Sequence, residues 1–287
     1  MSATKKKIRS ATKKKIRSSV NTYFDKVFVI NLFDNEKRWK TMEKSMKRRN
    51  ITADRFIAID GRCKNQGLAA CKQKLKSLEL THNVTIKVPK GYKHQEIIPA
   101  SSLTIGTIIL MRAMVKNNWN RMLIFEDDVD FGRNFEKKFR EGIKGLGKKS
   151  WDMLYLGCGS LCGHKDVSEN KSKNTPYLST MSQVLGDDST WVKYKNDLRN
   201  TCEQDSCSSV TGNISNAESP GGTWCYAVSL KGAKKILKLI GDAGQHIDQI
   251  YKNECEKGNL KCLAFDPPIV WHQEGYFRTN TDIPWKD

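Results

Sequence analysis

Three consecutive carboxylates, Glu126, Asp127 and Asp128, follow directly after the hydrophobic run MLIF. Adjacent carboxylates repel one another, so burying all three is costly unless a cation compensates their charge. On a strand, alternate side chains share a face, so we expect Glu126 and Asp128 to point the same way. Hard oxygen ligands of this kind suit Mn²⁺ or Mg²⁺, which can bridge to a diphosphate. The alternative is a solvated acidic turn in which an aspartate caps a neighbouring element.

The elements around this acidic triplet are predicted to alternate between strand and helix. Apolar, β-rich runs predict strands at 26–32, 56–59, 121–125, 151–156, 223–229 and 260–265, and helical periodicity predicts helices at 35–49, 101–115, 134–146, 231–240 and 246–257. This alternation is typical of an α/β fold with parallel strands. In open α/β sheets, ligands bind beyond the carboxyl ends of the strands, where the triplet lies.

The positive charge of the chain is unevenly distributed. The 287 residues include 50 Lys and Arg against 31 Asp and Glu, a formal net charge of +19. Residues 1–20 contribute +8 of this, with no acidic residue, and contain the octapeptide ATKKKIRS twice. We expect this segment to be a mobile basic tail, because it has little apolar surface to bury. The remainder, 21–287, is expected to be a single domain with a polar insertion, or a set of active-site loops, near 158–222.

Nine cysteines are scattered along the chain, and the first residues lack the apolar core of a secretory signal. An odd number of cysteines without a signal predicts free thiols in a reducing compartment, hence a cytoplasmic or other intracellular location. A weaker alternative is a zinc site, although the spacings match no common template; its ligands would be Cys158, Cys162, His164, Cys202 and Cys207. No run approaches the ~18 apolar residues that cross a bilayer, so no transmembrane segment is predicted.

A series of short motifs runs in order from about residue 26 to residue 273. They are VFVINL with Arg38 downstream, FIAIDG, LTIG, LIFEDDVDF, WDMLYLG, GTWCYAVSLKGAKKIL, HIDQ and FDPPIV. In their order and spacing the chain resembles glycosyltransferase family 25, which includes bacterial lipooligosaccharide glycosyltransferases and collagen galactosyltransferase domains. The resemblance implies a GT-A type fold, a nucleotide-sugar-binding α/β sandwich whose mostly parallel central sheet has helices on both faces.

The same resemblance implies an activity. Family members transfer a hexose with inversion, most often galactose or glucose from a UDP-sugar, and the acceptor is a hydroxyl of a glycan or of a hydroxylysine-type protein side chain. The expected partners are therefore a UDP-hexose donor and a glycan or protein acceptor, with homo-oligomer formation left open.

The resemblance and the side-chain chemistry together assign metal ligands. Glu126 and Asp128 are expected to hold Mn²⁺ or Mg²⁺, with Asp127 supporting them or contacting the donor. Such a metal would neutralise the charge that develops on the departing nucleoside diphosphate. His272 is a further expected ligand, since GT-A enzymes often supply a late histidine to the metal. A structural or exposed histidine is the alternative.

Donor binding is expected to involve the ends of the first two strands. Asn31, Leu32 and Arg38 match the family's INL…R pattern, where the first strand meets the nucleotide. Arg38 is suited to bidentate pairing with phosphate, and Asp60 to accepting a hydrogen bond from uracil or ribose. The alternatives are an arginine on a solvated helix face and an Asp-Gly turn residue.

Inverting transfer also needs a base that removes the proton from the acceptor hydroxyl. Asp248, in HIDQ, occupies the family's Asp position and is the first choice for this base, ahead of His246; its alternative role is a helix N-cap. Trp224 and Tyr226 are candidates for an aromatic platform that stacks against a sugar, with core packing as the competing interpretation.

Two other functions remain open at this point. The net charge of +19 is compatible with a basic nucleic-acid-binding protein, although the sequence contains no recognised module of that kind. A GT-A-shaped module that has lost catalysis and only binds glycans or partners is the other alternative, against which the intact acidic triplet weighs.

Overall fold

The computed structural model describes residues 18–63, 67–90, 93–132, 134–159, 213–217, 219–266 and 268–272. In these ranges the helices are α1 (Ser19–Tyr23), α2 (Glu36–Lys47), α3 (Leu68–His82), α4 (His94–Lys116), α5 (Phe135–Leu146), α6 (Leu230–Leu239) and α7 (Ile247–Glu256). The strands are β1 (Lys26–Leu32), β2 (Asp54–Ala58), β3 (Arg121–Glu126), β4 (Val129–Phe131), β5 (Met153–Gly159), β6 (Asn213–Asn216), β7 (Gly221–Ser229), β8 (Cys262–Asp266) and β9 (Val270–His272).

Seven of these strands form one mixed sheet in the order β2-β1-β3-β7-β5-β8-β6. The pairs β1–β2, β1–β3 and β5–β8 are parallel, whereas β3–β7, β5–β7 and β6–β8 are antiparallel. The α/β class is confirmed, but the sheet is less parallel than expected, because β7 enters in reverse between β3 and β5. The carboxyl ends of β1, β2, β3, β5 and β8 share one side of the sheet, which we call the carboxyl edge. The start of β7 lies there too.

Helices cover both faces of this sheet, as expected. Alternation along β3 sends Leu123 and Phe125 into a core shared with α1, α2 and α5. Met122 and Ile124 face the opposite way, into a core shared with α4, α6 and α7. The central strand is therefore apolar on both faces, which explains why the run before the acidic triplet is continuously hydrophobic.

Helix α4 is longer than the sequence predicted. It begins at His94 and continues through Pro99, where the prediction began near residue 101. Its segment Ile97–Lys116 is long and apolar enough to span a membrane by length and composition alone, contrary to expectation, but 78% of its most apolar stretch is buried inside the fold. Such burial is what a core helix shows. Helix α3, which the sequence left unassigned, packs against α4 through Leu78, Ile105 and Ile108.

The folded part of the chain starts earlier than expected. The predicted tail extended to residue 20, but the Ser18 hydroxyl accepts from the backbone N–H of Asn21 and caps α1. Val20 is fully buried, and the backbone N–H of Ser19 donates to Glu136 on α5 at 3.0 Å. The tail boundary at residue 20 is therefore wrong by about one turn of helix, and residues 1–17 lie outside the described residues.

The expected polar insertion at 158–222 is bounded by strands. Cys158 belongs to β5, and β6 pairs antiparallel with β8, Asn213 lying opposite Asp266. Strand β6 reads NISN and has a single apolar residue, so no alternation signalled it. Residues 160–212 lie outside the described residues, so the expectation of loops there stays a prediction.

Five described cysteines are disulfide-bonded, contrary to the expectation of free thiols. Cys63 bonds Cys71 and Cys255 bonds Cys262, and Cys158 is also in a disulfide. A disulfide-bonded Cys158 is no zinc ligand, and the other proposed zinc ligands lie outside the described residues. Spacing alone could not reveal these pairs, because the two cysteines of each are brought together by α3 and by the α7–β8 connection. The intracellular location stays a prediction.

Peptide mapping of the non-reduced protein tests these bonds. We expect linked peptides joining Cys63 to Cys71 and Cys255 to Cys262, because their Cα atoms are 5.9 and 5.8 Å apart. Replacing Cys255 and Cys262 together by serine should lower the free energy of unfolding by about 2–4 kcal/mol. Buried, free Cys225 is the internal control and should alkylate only after unfolding. Alkylation of the paired cysteines in the native, non-reduced protein would contradict the assignment.

Candidate functional site

The end of the first strand and the acidic triplet meet at the carboxyl edge. Strands β1 and β3 are parallel neighbours with Ile30 opposite Glu126, which brings Asn31 beside the triplet. The Asn31 side-chain amide donates to Asp127 Oδ2 and, at 3.2 Å, to the carbonyl of Asn35. Asn31 is buried, so this bond fixes the ends of two neighbouring strands relative to each other.

Arg38 supplies the charge that lets the aspartates be buried. Its Nη1 donates to Asp127 Oδ1 at 3.0 Å and lies 3.5 Å from Asp128 Oδ2. The three side chains are only 10–12% exposed. Arg38 lies on the first turns of α2, which starts just beyond β1, so one connection delivers both partners of Asp127. The alternative of an arginine on a solvated helix face is wrong.

Glu126 and Asp128 occupy different positions at the end of β3. Strand β3 ends at Glu126, and Asp127 and Asp128 lie in the turn before β4. Glu126 Oε1 accepts from the hydroxyl of Thr223 at the start of β7, whereas Asp128 faces Arg38. Strand alternation, from which a common direction was expected, does not extend to Asp128, because β3 ends at Glu126. The alternative of a solvated acidic turn is also wrong, since Asp127 and Asp128 are buried.

The electrostatics of Asp127 reflect this burial. Desolvation raises the pKa of the Asp127 carboxyl, and the nearby Asp128 charge adds to the rise. The hydrogen bond from Asn31 and the charge of Arg38 act in the opposite direction. The sequence predicted that a metal compensates the repulsion between these carboxylates. In the structure, the guanidinium of Arg38 already offsets part of it.

Asp60 is held in a separate, exposed cluster at the same edge. Arg62 donates through Nε to Asp60 Oδ1 at 2.9 Å and through Nη2 to Asp34 at 2.6 Å. The hydrogen bond from Arg62 lowers the pKa of Asp60. Asp60 therefore stays ionised and half-exposed beside the β1–α2 turn, where its free surface can still accept a hydrogen bond.

The predicted aromatic platform is not accessible. Trp224 is 8% exposed and packs in the core on the α1, α2 and α5 side of the sheet. Tyr226 is 1% exposed and packs on the opposite face. Both side chains face away from solvent because β7 is a central strand covered by helices on each side. The core-packing interpretation is correct for both, and the stacking role is wrong.

Asp248 lies near the start of α7. Because α7 leads into β8, that start lies at the carboxyl edge. His246, not Asp248, holds the N-cap position, and Asp248 is the second helical residue. The N-cap role considered for Asp248 is therefore wrong. Its Oδ1 accepts from the backbone N–H of Gln249 at 2.9 Å, and the residue is half-buried.

Burial and the charges of Asp248 and Glu126 raise the pKa values of two neighbouring tyrosines in one buried cluster. Burial raises the pKa of Tyr155 well above its usual value, and the Asp248 charge raises it further. Burial likewise raises the pKa of Tyr226 to about 12, with Glu126 adding to it. The two rings are 6.3 Å apart. These tyrosines stay neutral near pH 7 and are unsuited to act as bases.

The described residues fit a divalent cation in donor type but form no complete protein cage. No group of three or more His, Cys, Asp or Glu side chains in the described ranges is arranged to hold a metal. Glu126 and Asp128 supply hard oxygens, and cations such as Mg²⁺ often bind one or two carboxylates together with substrate phosphates and water. The backbone of His272 pairs with Val129, directly after the triplet; its side chain lies outside what is described.

Three residues at this edge carried no recognised signal in the sequence. Thr223 bonds Glu126, and Arg55 on β2 bonds the β1–α2 turn. Phe33, in that turn, is 73% exposed. For Phe33 the available but unused signal was an aromatic residue directly after the apolar run that ends in INL. Arg55 and Thr223 act through partners distant in sequence, which no local pattern indicates.

Comparison with known proteins decides the family. Residues 24–251 match the sequence model of glycosyltransferase family 25 (LPS biosynthesis protein). The chain belongs to glycosyltransferase family 25. The resemblance carried by the motifs is thereby confirmed, and the match includes the candidate site residues from Asn31 to Asp248.

The names of individual family 25 relatives include both an inactive member and a transferase. The human protein named inactive glycosyltransferase 25 family member 3 is 28% identical over 92% of this chain and 40% of its own length. Mouse procollagen galactosyltransferase 2 is 22% identical over 91% of this chain and 38% of its own length. The chain thus spans less than half the length of the curated relatives it matches.

A solved structure, mouse xyloside xylosyltransferase 1, is also similar, with a TM-score of 0.34 and 9% identity over 91% of this chain and 87% of that chain. At that score it adds nothing to the fold assignment, which rests on the topology above.

Removing the Arg38 charge tests how this family 25 site is held together. Arg38→Met leaves Asp127 and Asp128 buried without their cation, and we expect a loss of about 3–5 kcal/mol of unfolding free energy at pH 7.5. The loss should shrink near pH 5, because the pKa of Asp127 is already raised and rises further without Arg38. Near pH 5, protonation of Asp127 in the folded variant removes the unpaired charge. The stability of the variant is therefore lost as the pH rises through the raised pKa of Asp127.

The matched control is Arg62→Met. Arg62 also bridges two aspartates, but its side chain is 44% exposed, so we expect a loss below about 1 kcal/mol. Chemical denaturation of both variants at the two pH values supplies the comparison. Equal losses for Arg38→Met at both pH values would contradict this account.

Proposed function

We propose that the chain is a metal-dependent glycosyltransferase that moves a hexose from a UDP-sugar to a hydroxyl of a glycan or hydroxylysine-type protein acceptor. One observation carries the proposal. The buried Asn31–Asp127–Arg38 cluster lies between β1 and β3, where the chain goes outward to β2 and then returns to the opposite side of β1. Such a reversal of strand order is where open α/β sheets bind their ligands.

The cluster has the chemistry that a nucleoside diphosphate requires. Asp128 and Glu126 would hold a divalent cation such as Mn²⁺, which supplies neutralisation of the charge on the leaving diphosphate when bound. Arg38 offers a planar fork of N–H groups, suited to a phosphate as well as to the two aspartates. Asp60 and Leu32, at the ends of the adjoining strands, would contact the nucleoside end of the same donor.

Asp248 is the proposed base. It lies at the carboxyl edge, it is half-buried, and its charge is felt by Tyr155. A carboxylate there would take the proton from the acceptor hydroxyl as that oxygen attacks the anomeric carbon, with the diphosphate leaving on the opposite side. The procollagen acceptor in the name of the mouse relative makes a protein hydroxyl one of the acceptors to test.

A second candidate function is binding without transfer. It is favoured by the human relative, which is named inactive and matches 92% of this chain. In that case the cluster at the carboxyl edge would hold a nucleoside diphosphate or nucleotide sugar without turnover. Saturable UDP binding by a protein that releases no UDP from any UDP-hexose would select this alternative.

Asp128→Asn tests the proposed metal site. We expect the full chain to release UDP from a UDP-hexose only with Mn²⁺ or a similar ion, and the variant to lose at least about 100-fold of that rate, as for one lost charge-stabilising group. The control is Asp54→Asn, which removes a half-exposed carboxylate at the opposite edge, paired with Lys26. Unchanged turnover in EDTA, or in Asp128→Asn, would remove the metal from the proposal.

Asp248→Asn tests the proposed base. We expect UDP binding to be retained and transfer to fall by about 10²–10⁴-fold, the usual contribution of a general base. Glu256→Gln is the control, because Glu256 ends the same helix at its exposed, opposite terminus. Calorimetry for UDP and product detection for transfer separate the two effects. Normal transfer by Asp248→Asn would exclude this residue as the base.

A further inference from the structure

We infer that Arg55 is a positioning residue that sets the orientation of the Asn31 amide and the shape of the β1–α2 turn. It thereby holds both partners of Asp127 in place. The expected consequence of losing Arg55, weaker donor binding, rests on the proposed function. The structural role of Arg55 rests on its hydrogen bonds alone.

All three guanidinium nitrogens of Arg55 bond residues in or beside the β1–α2 turn. Nε donates to Asn31 Oδ1 at 2.8 Å, and Nη2 donates to the carbonyls of Leu32 and Phe33 at 3.1 and 3.0 Å. Nη1 pairs with Glu36, at the start of α2, at 3.1 Å. The side chain is 17% exposed. It bonds no residue of the triplet in these contacts, so it acts through the turn.

The bond to Asn31 decides which way the amide faces. An arginine side chain has only donors, so Nε–H must meet the amide oxygen. The amide nitrogen then points to Asp127 and donates to its carboxylate. In the reversed orientation, two donors would face each other at Arg55 and two acceptors would face each other at Asp127. Arg55 therefore makes Asn31 a donor toward the triplet.

The bonds from Arg55 to the carbonyls of Leu32 and Phe33 affect the position of Arg38. Leu32 and Phe33 form the bend between β1 and α2, and α2 carries Arg38 three residues from its N-cap, Asn35. Fixing both carbonyls with one planar group fixes the direction in which α2 leaves the strand. A lysine could keep the charge and the pair with Glu36, but its single ammonium cannot match this fork.

The strand register explains how Arg55 reaches the turn. Arg55 lies on β2 opposite Val29 of β1, two residues before Asn31, and its long side chain runs along β1 to the carboxyl edge. The ring of Trp39 lies 5.4 Å from the guanidinium and limits its movement. The same strand position with a shorter side chain would not reach Leu32 or Phe33.

Arg55→Lys tests the orientation without reference to activity. In the ¹⁵N spectrum of the full chain, the Asn31 side-chain amide, assigned with Asn31→Ala, should exchange slowly with solvent because it donates to Asp127 and Asn35. We expect its exchange to speed up at least about 10-fold in Arg55→Lys, as an outer partner is lost. Arg121→Lys is the control. Arg121 lies at the opposite end of β3 and stacks over Tyr23 at 4.0 Å, so the Asn31 signal should not change.

A double-mutant cycle on UDP binding in the presence of Mn²⁺ tests the functional part. We expect Arg55→Lys and Asn31→Ala each to weaken UDP binding by about 10–100-fold, and the double variant to bind no more weakly than Asn31→Ala. Purely structural damage would instead add to the effect of Asn31→Ala, and additive losses would overturn the inference.

The two levels of proposal fail in different ways. If the unmodified chain binds no UDP, the proposed function fails while the exchange measurement still tests the role of Arg55. If Arg55→Lys does not fold, hydrogen exchange in the unmodified chain tests the inference instead. The Arg55 Nε–H should exchange with solvent far more slowly than the Nε–H of exposed Arg140. Rapid exchange of the Arg55 Nε–H, or an unchanged Asn31 amide in folded Arg55→Lys, would overturn the inference.

Discussion

A buried carboxylate must be compensated, and the Asp127 carboxylate is compensated by groups from two parts of the chain. Asn31 comes from β1 and Arg38 from α2. Inside the protein, where the effective dielectric is low, these bonds are stronger than in water and costly to leave incomplete. Satisfying this one group constrains the end of β3, the bend after β1 and the start of α2 together. A small displacement of any of them would leave a charge or a donor unpaired.

The same requirement joins site and scaffold through Arg55. Its guanidinium bonds the turn while its backbone belongs to β2, so three neighbouring strands contribute to holding one carboxylate. Arg38 and Arg55 differ in what they can do for a ligand. Arg38 faces the aspartates and is the arginine proposed to contact a donor phosphate, whereas Arg55 bonds protein acceptors.

The strongest sequence signals were local. A continuous apolar run followed by EDD placed the triplet at a strand end, and INL with a following arginine placed Asn31 and Arg38 beside it. Trp224 was a stacking candidate with core packing as the alternative, and it packs in the core because its strand is central. The reversed β7 could not be foreseen, since strand direction depends on the path of a connection that includes residues 160–212. Arg55 lies 24 residues from Asn31, and nothing in DRFIA indicates that partnership.

The pairing of β4 with β9 has a consequence for the order in which the molecule forms during synthesis. Strand β4 directly follows the triplet, but its only strand partner among the described residues is β9, which ends at His272. A ribosome adds about 5–20 residues per second. The turn that carries Asp127 and Asp128 therefore exists for several seconds before the strand that pairs with β4 has been made. Until then, Arg38 and Asn31 are the groups available to hold this acidic turn against the emerging sheet.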